Sequence, residues 1–251
     1  MFALDKPVGP TAAQALARLR ALDPALATVP LGHAGRLDPM AEGLLTVLVG
    51  EETRQVHALR GQDKTYTLDV LLGLGSDSFD ALGLVPAPPA PVTVDEAALM
   101  AAGMARVGPY PQQYPPFSQA KVGGRSLLAL SHAGVVVERP TAPRVLHTMV
   151  WQGLTTLTLA EASAHACARI ARVQGPFRQE AITARWRALA QEHPHGRLAV
   201  ASWKVTCSAG TYMRTLAHDL GADLGMPAMA WRIRRTAAGP LTLDGARTLP
   251  P

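Results

Sequence analysis

The sequence is poor in cysteine and has no long apolar run. Its two cysteines, Cys167 and Cys207, lie far apart and belong to no CxxC pair, which argues against a disulfide framework and against a cysteine zinc site. No apolar run approaches the roughly 18 residues of a membrane span. Asp5, Lys6 and two prolines interrupt the N-terminus, where a signal peptide needs an unbroken apolar stretch. We therefore expect a cytoplasmic protein without a membrane segment or a metal site.

Acidic residues are scarce relative to basic ones. The chain has 24 lysines and arginines against 19 aspartates and glutamates, a formal net charge of +5 at pH 7. Most of the positive charge is arginine, whose planar guanidinium suits bidentate phosphate contacts and base stacking. This balance favours a polyanionic partner, although a general bias toward Ala, Arg, Gly and Pro explains it equally well.

Local patterns predict a mixture of strands and helices. Thr11 and Gln14 form a capping box, and apolar residues then recur on one face of a helix over 12–22. Alternating β-branched and aromatic residues predict a strand over 64–73. The other predicted elements are helices over 41–48 and 92–107, an extended proline-rich loop over 109–116, a strand pair over 145–153 and 154–160, a strand over 198–208, and a helix that begins at Met213. Such a mixture without strict strand–helix alternation indicates an α+β fold.

One aspartate stands in a loop bracketed by glycines. Gly32 and Gly35 allow a tight turn and a close approach to a ligand, and Pro39 follows Asp38 directly. We predict that Asp38 lies at the mouth of a cleft, before a helix over 41–48. The simpler alternative is that Asp38 only caps that helix, because aspartate is a favoured N-cap residue.

Five segments of the chain match one family in order. They are LDKPVGPT (4–11), GHAGRLDPMAEGLL (32–45), KTYTLDVLLGLGSDSFDALG (64–83), PQQYPPFSQAKVGGR (111–125) and CSAGTYMRTLAHDLGADLG (207–225). Together they resemble the motifs of the TruB family of pseudouridine synthases, although each alone is a weak signal. The resemblance implies a mixed, mainly antiparallel sheet with flanking helices and a central RNA-binding cleft.

The resemblance also implies an activity. Members of the family isomerise uridine to pseudouridine, and the implied substrate is uridine-55 in the T arm stem-loop of tRNA. The uridine has to be extruded from the folded RNA before it can react. Nothing is oxidised or reduced overall, so no cofactor is expected. We expect the protein to act as a monomer.

The resemblance assigns the chemistry to three residues. Asp38 is the catalytic carboxylate, either as nucleophile or as base on the ribose, and both roles stay open. Arg214 is its ion-pair partner. Tyr66 stacks on the target base and takes part in handling the C5 proton. The resemblance further implies His33 in the gap left by the extruded base, Tyr212 beneath either the base or the Asp38–Arg214 pair, and Ile233 on the uracil pocket. We also expect Lys64, Lys121 and Arg125 to contact phosphates, because phosphate contacts position an RNA. Arg234 and Arg235 are either phosphate contacts or structural pairs.

Two departures from the family pattern concern organisation. Residues 160–196 resemble an insertion, predicted to form two short helices around Gly175 and Pro176. Its arginines are Arg169, Arg172, Arg178, Arg185 and Arg187. They form either an extra RNA contact or a solvated helical face. Bacterial relatives often continue into a small RNA-binding PUA domain, whereas we expect residues 1–251 to be one catalytic domain without it.

Two other functions compete with this interpretation. The first is an RNA-binding chaperone that folds tRNA and needs no chemistry. The second is a hydrolase with two carboxylates, Asp77 and Asp80, although these residues also fit a turn at the end of a strand.

Overall fold

One large mixed sheet runs through the computed structural model, which describes residues 1–249. The strands are β1 (Phe2–Lys6), β2 (Leu31–Ala34), β3 (Ala41–Val49), β4 (Lys64–Leu72), β5 (Gly108–Gln113), β6 (Lys121–Val122), β7 (Arg125–Ser126), β8 (Thr141–Thr158), β9 (Arg197–Cys207), β10 (Ala228–Ala238), β11 (Leu241–Thr242) and β12 (Arg247–Thr248). The helices are α1 (Ala12–Leu22), α2 (Val56–Arg60), α3 (Glu96–Ala105), α4 (Leu127–His132), α5 (Leu159–Ile170), α6 (Gln179–Glu192) and α7 (Met213–Asp223). Short 3-10 helices cover Pro24–Leu26 and Gly50–Gln55.

The strand order of the sheet is β12-β1-β3-β10-β4-β9-β8-β5. In addition, β2 pairs with β3 and β11 pairs with β10, while β6 and β7 form a separate hairpin. Only the β1–β12 and β3–β10 pairs are parallel among the described strands. The predicted α+β fold with a mainly antiparallel sheet is therefore confirmed.

Several predicted elements are present with close bounds. Helix α1 begins after Thr11, whose hydroxyl accepts from the Gln14 N–H at 3.3 Å while the Gln14 side chain accepts from the Thr11 N–H at 2.8 Å. The strand predicted over 64–73 is β4, the strand over 198–208 is β9, and the helix at Met213 is α7. The helix predicted over 92–107 is shorter, because α3 begins only after its capping residue Asp95.

The helix predicted over 41–48 is wrong, because these residues form strand β3. This strand lies between β1 and β10, and most of its side chains are buried. A strand buried on both faces has a continuous apolar sequence, which periodicity cannot distinguish from a buried helix. Gly43 has a positive φ of 99°, and a Cβ there would lie 2.2 Å from the carbonyl oxygen of Arg235 on β10. Asp38 is therefore not a helix cap.

Two predictions on the far side of the sheet are also wrong. The extended loop predicted over 109–116 contains the edge strand β5, where Pro109 and Pro111 are tolerated because an edge strand leaves one side without partners. The strand pair predicted over 145–160 is the single strand β8. Register shifts between Leu146 and Thr148, and near Gly153, bend this strand where the sequence suggested a turn.

The two faces of the sheet carry separate apolar cores, which meet at the Asp38 loop. Helix α7 packs on one face, and α5 and α6 pack on the other. Leu37 belongs to the first core and Met40 to the second, and both are buried. Burial of each side chain contributes about 1.5–3 kcal/mol. The loop is thus anchored on both sides of Asp38, whose own side chain is 40% exposed.

Candidate active site

Asp38, in the loop before β3, forms an ion pair with Arg214, on the first turn of α7. The Nε of Arg214 donates to Asp38 Oδ2 at 2.8 Å, although the two residues are 176 positions apart in sequence. Arg214 is only 4% exposed, whereas the Asp38 side chain is 40% exposed. No described residue donates a hydrogen bond to the other carboxylate oxygen, Oδ1. The pair therefore offers one carboxylate oxygen to a ligand while a buried cation holds the other.

The remaining donors of Arg214 fix the direction of its guanidinium. Nη1 donates to the Ser78 carbonyl at 2.9 Å and Nη2 to the Phe117 carbonyl at 3.1 Å. Asp80 lies 3.9 Å from Nε. Burial raises the pKa of Asp80, and the charge of Arg214 opposes this rise. The arginine is thus held by two separate backbone segments and by a second carboxylate.

The backbone of the Asp38 loop is held by buried donors. Arg235, 1% exposed, donates to the carbonyls of Gly35 at 3.3 Å and Arg36 at 3.1 Å. The Gly9 N–H donates to the Pro39 carbonyl at 2.9 Å. These bonds restrict the loop on both sides of the carboxylate.

Tyr66 and Ile233 belong to the same apolar cluster as Leu37. Tyr66 is 8% exposed on β4 and Ile233 is 7% exposed on the neighbouring strand β10. Burial raises the pKa of Tyr66, and the charge of Asp38 acts in the same direction. The phenol is therefore neutral at pH 7 and contributes to an apolar wall beside the carboxylate.

Tyr212 lies beneath the ion pair, just before α7. Its N–H donates to Gln112 Oε1 at 2.7 Å, and its carbonyl accepts from Gln112 Nε2 at 3.0 Å. The guanidinium carbon of Arg214 is 6.0 Å from the centre of its ring, and Tyr114 packs edge-on at 5.6 Å. An aromatic ring is thus held within 6.0 Å of the Arg214 guanidinium.

The sequence model of the TruB family pseudouridylate synthase N-terminal domain matches residues 25–164, which include Asp38 and Tyr66. The chain belongs to the TruB family. It is 35% identical to the tRNA pseudouridine synthase B of Cutibacterium acnes over 247 residues, which cover 98% of this chain and 70% of that protein. The tRNA pseudouridine synthase B of Thermobifida fusca is also 35% identical over 247 residues, covering 98% of this chain and 71% of that protein.

Solved structures share the fold of this TruB-family chain. A chain in the crystal structure of a Cbf5-Nop10-Gar1 complex superimposes with a TM-score of 0.62 at 22% identity, covering 99% of this chain and 51% of that one. A chain in the structure of an H/ACA RNP bound to a substrate RNA containing 2'-deoxyuridine gives a TM-score of 0.58 at 20% identity, with coverages of 98% and 50%. The present chain spans about half the length of these two, and the likeness establishes the fold.

The residues that the TruB resemblance assigns to RNA contact lie in different surroundings. Lys121 and Arg125 are exposed on the β6–β7 hairpin. Lys64 is 5% exposed, and its ammonium donates to the carbonyls of Arg60 and Gln62. The predicted phosphate contact of Lys64 therefore requires its ammonium to leave two protein carbonyls, whereas Lys121 and Arg125 are free to reach a phosphate.

His33 lines a cavity of about 470 Å³ beside α1, together with Leu16, Arg20 and Arg60. Its Nδ1 is buried and has no hydrogen-bond partner within residues 1–249. Burial and the charge of Arg60 lower the pKa of His33, so the ring is neutral at pH 7. A neutral, half-buried ring is suited to stacking.

Three residues near the ion pair were not assigned from the sequence to the roles they have in the structure. Asp80 is the second carboxylate near Arg214. Arg235, for which the sequence allowed either a phosphate contact or a structural pair, donates to backbone carbonyls within the protein. Arg234 likewise pairs with Asp5 at 2.7 Å. The third is Lys6, fully buried, whose Nζ donates to the carbonyls of Pro7 and Pro10, both at 2.8 Å.

Burial shifts the titration of Lys6 strongly. Desolvation lowers the pKa of Lys6 to about 7, against the attraction of Asp38 and Glu42. The only sequence signal for this residue was its place in the LDKPVGPT segment.

Across the part of the chain that the structure describes, no helix is long and apolar enough to cross a membrane, and no three His, Cys, Asp or Glu side chains are grouped to hold a metal ion.

Proposed function

We propose that this chain isomerises uridine-55 to pseudouridine in the T arm of tRNA, with Asp38 as the catalytic carboxylate. The observation that carries the proposal is the geometry of Asp38. One of its oxygens is held at 2.8 Å by a guanidinium that is 4% exposed, and the other is available to a ligand. The tRNA pseudouridine synthase B proteins named above, at 35% identity, support tRNA as the substrate class.

The reaction rearranges bonds without a net change in composition. The bond between the ribose C1' and uracil N1 breaks, the base rotates, and C1' joins C5. The C5 proton is lost and N1 gains a proton. Asp38 Oδ1 acts either as nucleophile at C1' or as base on the ribose, and the geometry is compatible with both roles. Arg214 places its positive charge against the other carboxylate oxygen in either case.

The base-binding surface is proposed from the side chains around Asp38. Tyr66 and Ile233 supply the apolar wall, and Tyr212 supplies an aromatic face beneath the ion pair. A neutral uracil suits such a pocket, because aromatic faces stack on bases without needing a charge. His33 takes the gap left by the extruded base, and Lys121 and Arg125 contact phosphates.

The test is release of tritium from a T arm stem-loop labelled at uridine C5. We expect release by the wild type and none by Asp38→Asn, which retains the shape of the side chain and the fold. Asp63→Asn is the matched control, because Asp63 is an exposed carboxylate that pairs only with His147 among residues 1–249. Absence of release by the wild type, with tight RNA binding, would instead indicate the chaperone. A labelled anticodon stem-loop should give no release, which tests the proposed T arm preference.

The hydrolase alternative has no support in the geometry. Asp77 accepts from Arg178 and from the Leu84 N–H, and Asp80 accepts from Ser78 and from the Leu82 N–H. Both carboxylates therefore stabilise the turn, as their place after β4 suggested.

We further infer one catalytic domain that acts as a monomer in the cytoplasm. The ten-stranded sheet supports one domain, since β1 and β12, near opposite ends of the described chain, are neighbours in it. Light scattering during size-exclusion chromatography tests the monomer, and an elution at the mass of two chains contradicts it.

A further inference from the structure

Helices α5 and α6 form a hairpin, residues 159–192, that contacts two active-site segments from the side opposite α7. Arg169 on α5 donates through Nη2 to the Met40 carbonyl at 2.8 Å and through Nη1 to the Trp231 carbonyl. Met40 follows Asp38 by two positions. Close to the hairpin's turn, a Cβ at Gly9 would lie 2.3 Å from the Arg172 carbonyl oxygen. The hairpin is thus in direct contact with Met40 and with Gly9, whose N–H donates to the Pro39 carbonyl just after Asp38.

Arg178 contacts both segments that hold Arg214. Its Nη1 and Nη2 donate to the two oxygens of Asp77 at 2.7 and 3.1 Å, and Asp77 precedes Ser78, an acceptor of Arg214. Its guanidinium carbon lies 4.7 Å from the ring centre of Phe117, whose carbonyl is the other acceptor. One side chain therefore connects the two acceptors of the guanidinium that holds Asp38.

Further contacts fix the hairpin to the same turn. The Trp186 indole N–H donates to the Ala81 carbonyl at 3.4 Å, and Arg185 Nε donates to the Val85 carbonyl at 3.2 Å. Trp186 is fully buried, so this side of α6 cannot shift without opening the core.

The backbone at these contacts is strained. Phe79 and Arg178 are the two residues other than glycine with positive φ among residues 1–249, at 65° and 63°. Phe79 lies in the Asp77–Asp80 turn, and Arg178 donates to Asp77 of that turn. Strained backbone persists where surrounding contacts fix it and is common at functional sites.

We propose that the α5–α6 hairpin holds the Asp38 loop and the Asp77–Asp80 turn in their reactive arrangement, with Arg169 and Arg178 as positioning residues. The inference rests on the proposed function. Arg169, Arg178 and Arg185 all donate within the protein, which leaves Arg172 and Arg187, both exposed, for contact with RNA. The hairpin's main contribution is therefore to the rate of the reaction and not to RNA affinity.

The Arg178–Asp77 pair allows a test that does not unfold the protein. Its side chains are 31% and 36% exposed, and ion pairs with that exposure add little stability. Arg178→Gln removes the pair, and Arg178→Lys keeps the charge but loses the bidentate fork. Arg197→Gln is the matched control, since Arg197 is exposed at the start of β9 and has no ion pair in the described part of the chain. Arg169→Met tests the second contact.

The first measurement is single-turnover pseudouridine formation with a T arm stem-loop, alongside the dissociation constant of that RNA. We expect Arg178→Gln to slow the reaction about tenfold, since a small misplacement of reacting groups costs up to about 10²-fold. The dissociation constant should change less than about threefold, and Arg178→Lys should recover only part of the rate. Asp77→Asn should slow the reaction similarly, and the double variant should be no slower than either single one.

The second measurement is hydrogen exchange, which needs no activity. Residues 76–85 should exchange faster in Arg178→Gln and residues 35–42 faster in Arg169→Met, with neither change in Arg197→Gln. Unchanged exchange in both variants overturns the proposal, whether or not the wild type forms pseudouridine. Weaker RNA binding at an unchanged rate also overturns it and assigns the hairpin to RNA contact. If the wild type forms no pseudouridine, the proposed function fails and exchange alone decides the positioning role.

Discussion

Replacing Arg214 by methionine should slow the reaction far more than it weakens RNA binding. At 2.8 Å and an effective dielectric of about 20, the attraction between Arg214 and Asp38 is about 6 kcal/mol. Water screens the pair because Asp38 is 40% exposed, so we halve the value to about 3 kcal/mol. This corresponds to a loss of about 10²-fold in rate. The same change leaves the Ser78 and Phe117 carbonyls without their donor, which costs about 1–3 kcal/mol of stability for each.

The assay is single-turnover tritium release at saturating T arm RNA, with unfolding followed in urea for each variant. Because Arg214→Met is expected to be destabilised, Arg214→Lys is the second variant. It keeps a charge, but one ammonium cannot reproduce the planar fork that reaches three acceptors. We expect a loss between about 10- and 100-fold for the lysine variant. A rate within threefold of the wild type in a folded Arg214→Met protein would refute the reasoning.

Three further predictions follow from other contacts. Because burial lowers the pKa of Lys6 from 10.5 to about 7, the folded chain loses a proton that the unfolded chain keeps between these pH values. Lys6 therefore makes the free energy of unfolding rise with pH in this window, by at most about 1.4 kcal/mol per pH unit. Urea unfolding at pH 7 and pH 9 should show a smaller rise in Lys6→Met than in the wild type. Equal rises in the two proteins contradict the argument. Arg235→Met removes three donor contacts to backbone carbonyls, one of them buried, and should lower the free energy of unfolding by about 3–5 kcal/mol. A loss below about 1 kcal/mol contradicts this prediction. Lys121→Ala and Arg125→Ala should each weaken RNA binding and lower the slope of log affinity against log salt concentration by about one phosphate contact, with no change in the rate at saturating RNA. An unchanged slope in filter binding means that these side chains do not contact phosphate.

Elements with local signals were predictable from the sequence. The capping box at Thr11 fixes the start of α1, and alternation over 64–73 identifies β4 because it contrasts with the glycines that follow. Strand β3 was not predictable in this way. Its burial on both faces removes alternation, and its partners β1 and β10 come from distant parts of the chain.

In the site, too, some contacts were expected from the sequence and others were not. The pairing of Asp38 with Arg214 was expected from the family resemblance, and the structure brings the two together. The role of the Ser78 and Phe117 carbonyls as acceptors of Arg214 could not be predicted, because every residue has a backbone carbonyl whatever its side chain. Arg235 had an uncertain role for a related reason, since only the folded chain shows whether an arginine faces solvent or buried carbonyls.

The position of β10 between β3 and β4 has a consequence for synthesis on the ribosome. Strands β3 and β4 emerge early, but their common neighbour is the last long strand to be made. Because β2 already pairs with the C-terminal part of β3, a nascent chain that ends before residue 228 leaves open the start of β3 (residues 41–43) and one edge of β4, and these edges invite mispairing with other chains. The chain should thus become active and resistant to aggregation at the same stage of synthesis, when β10 pairs with β3 and β4.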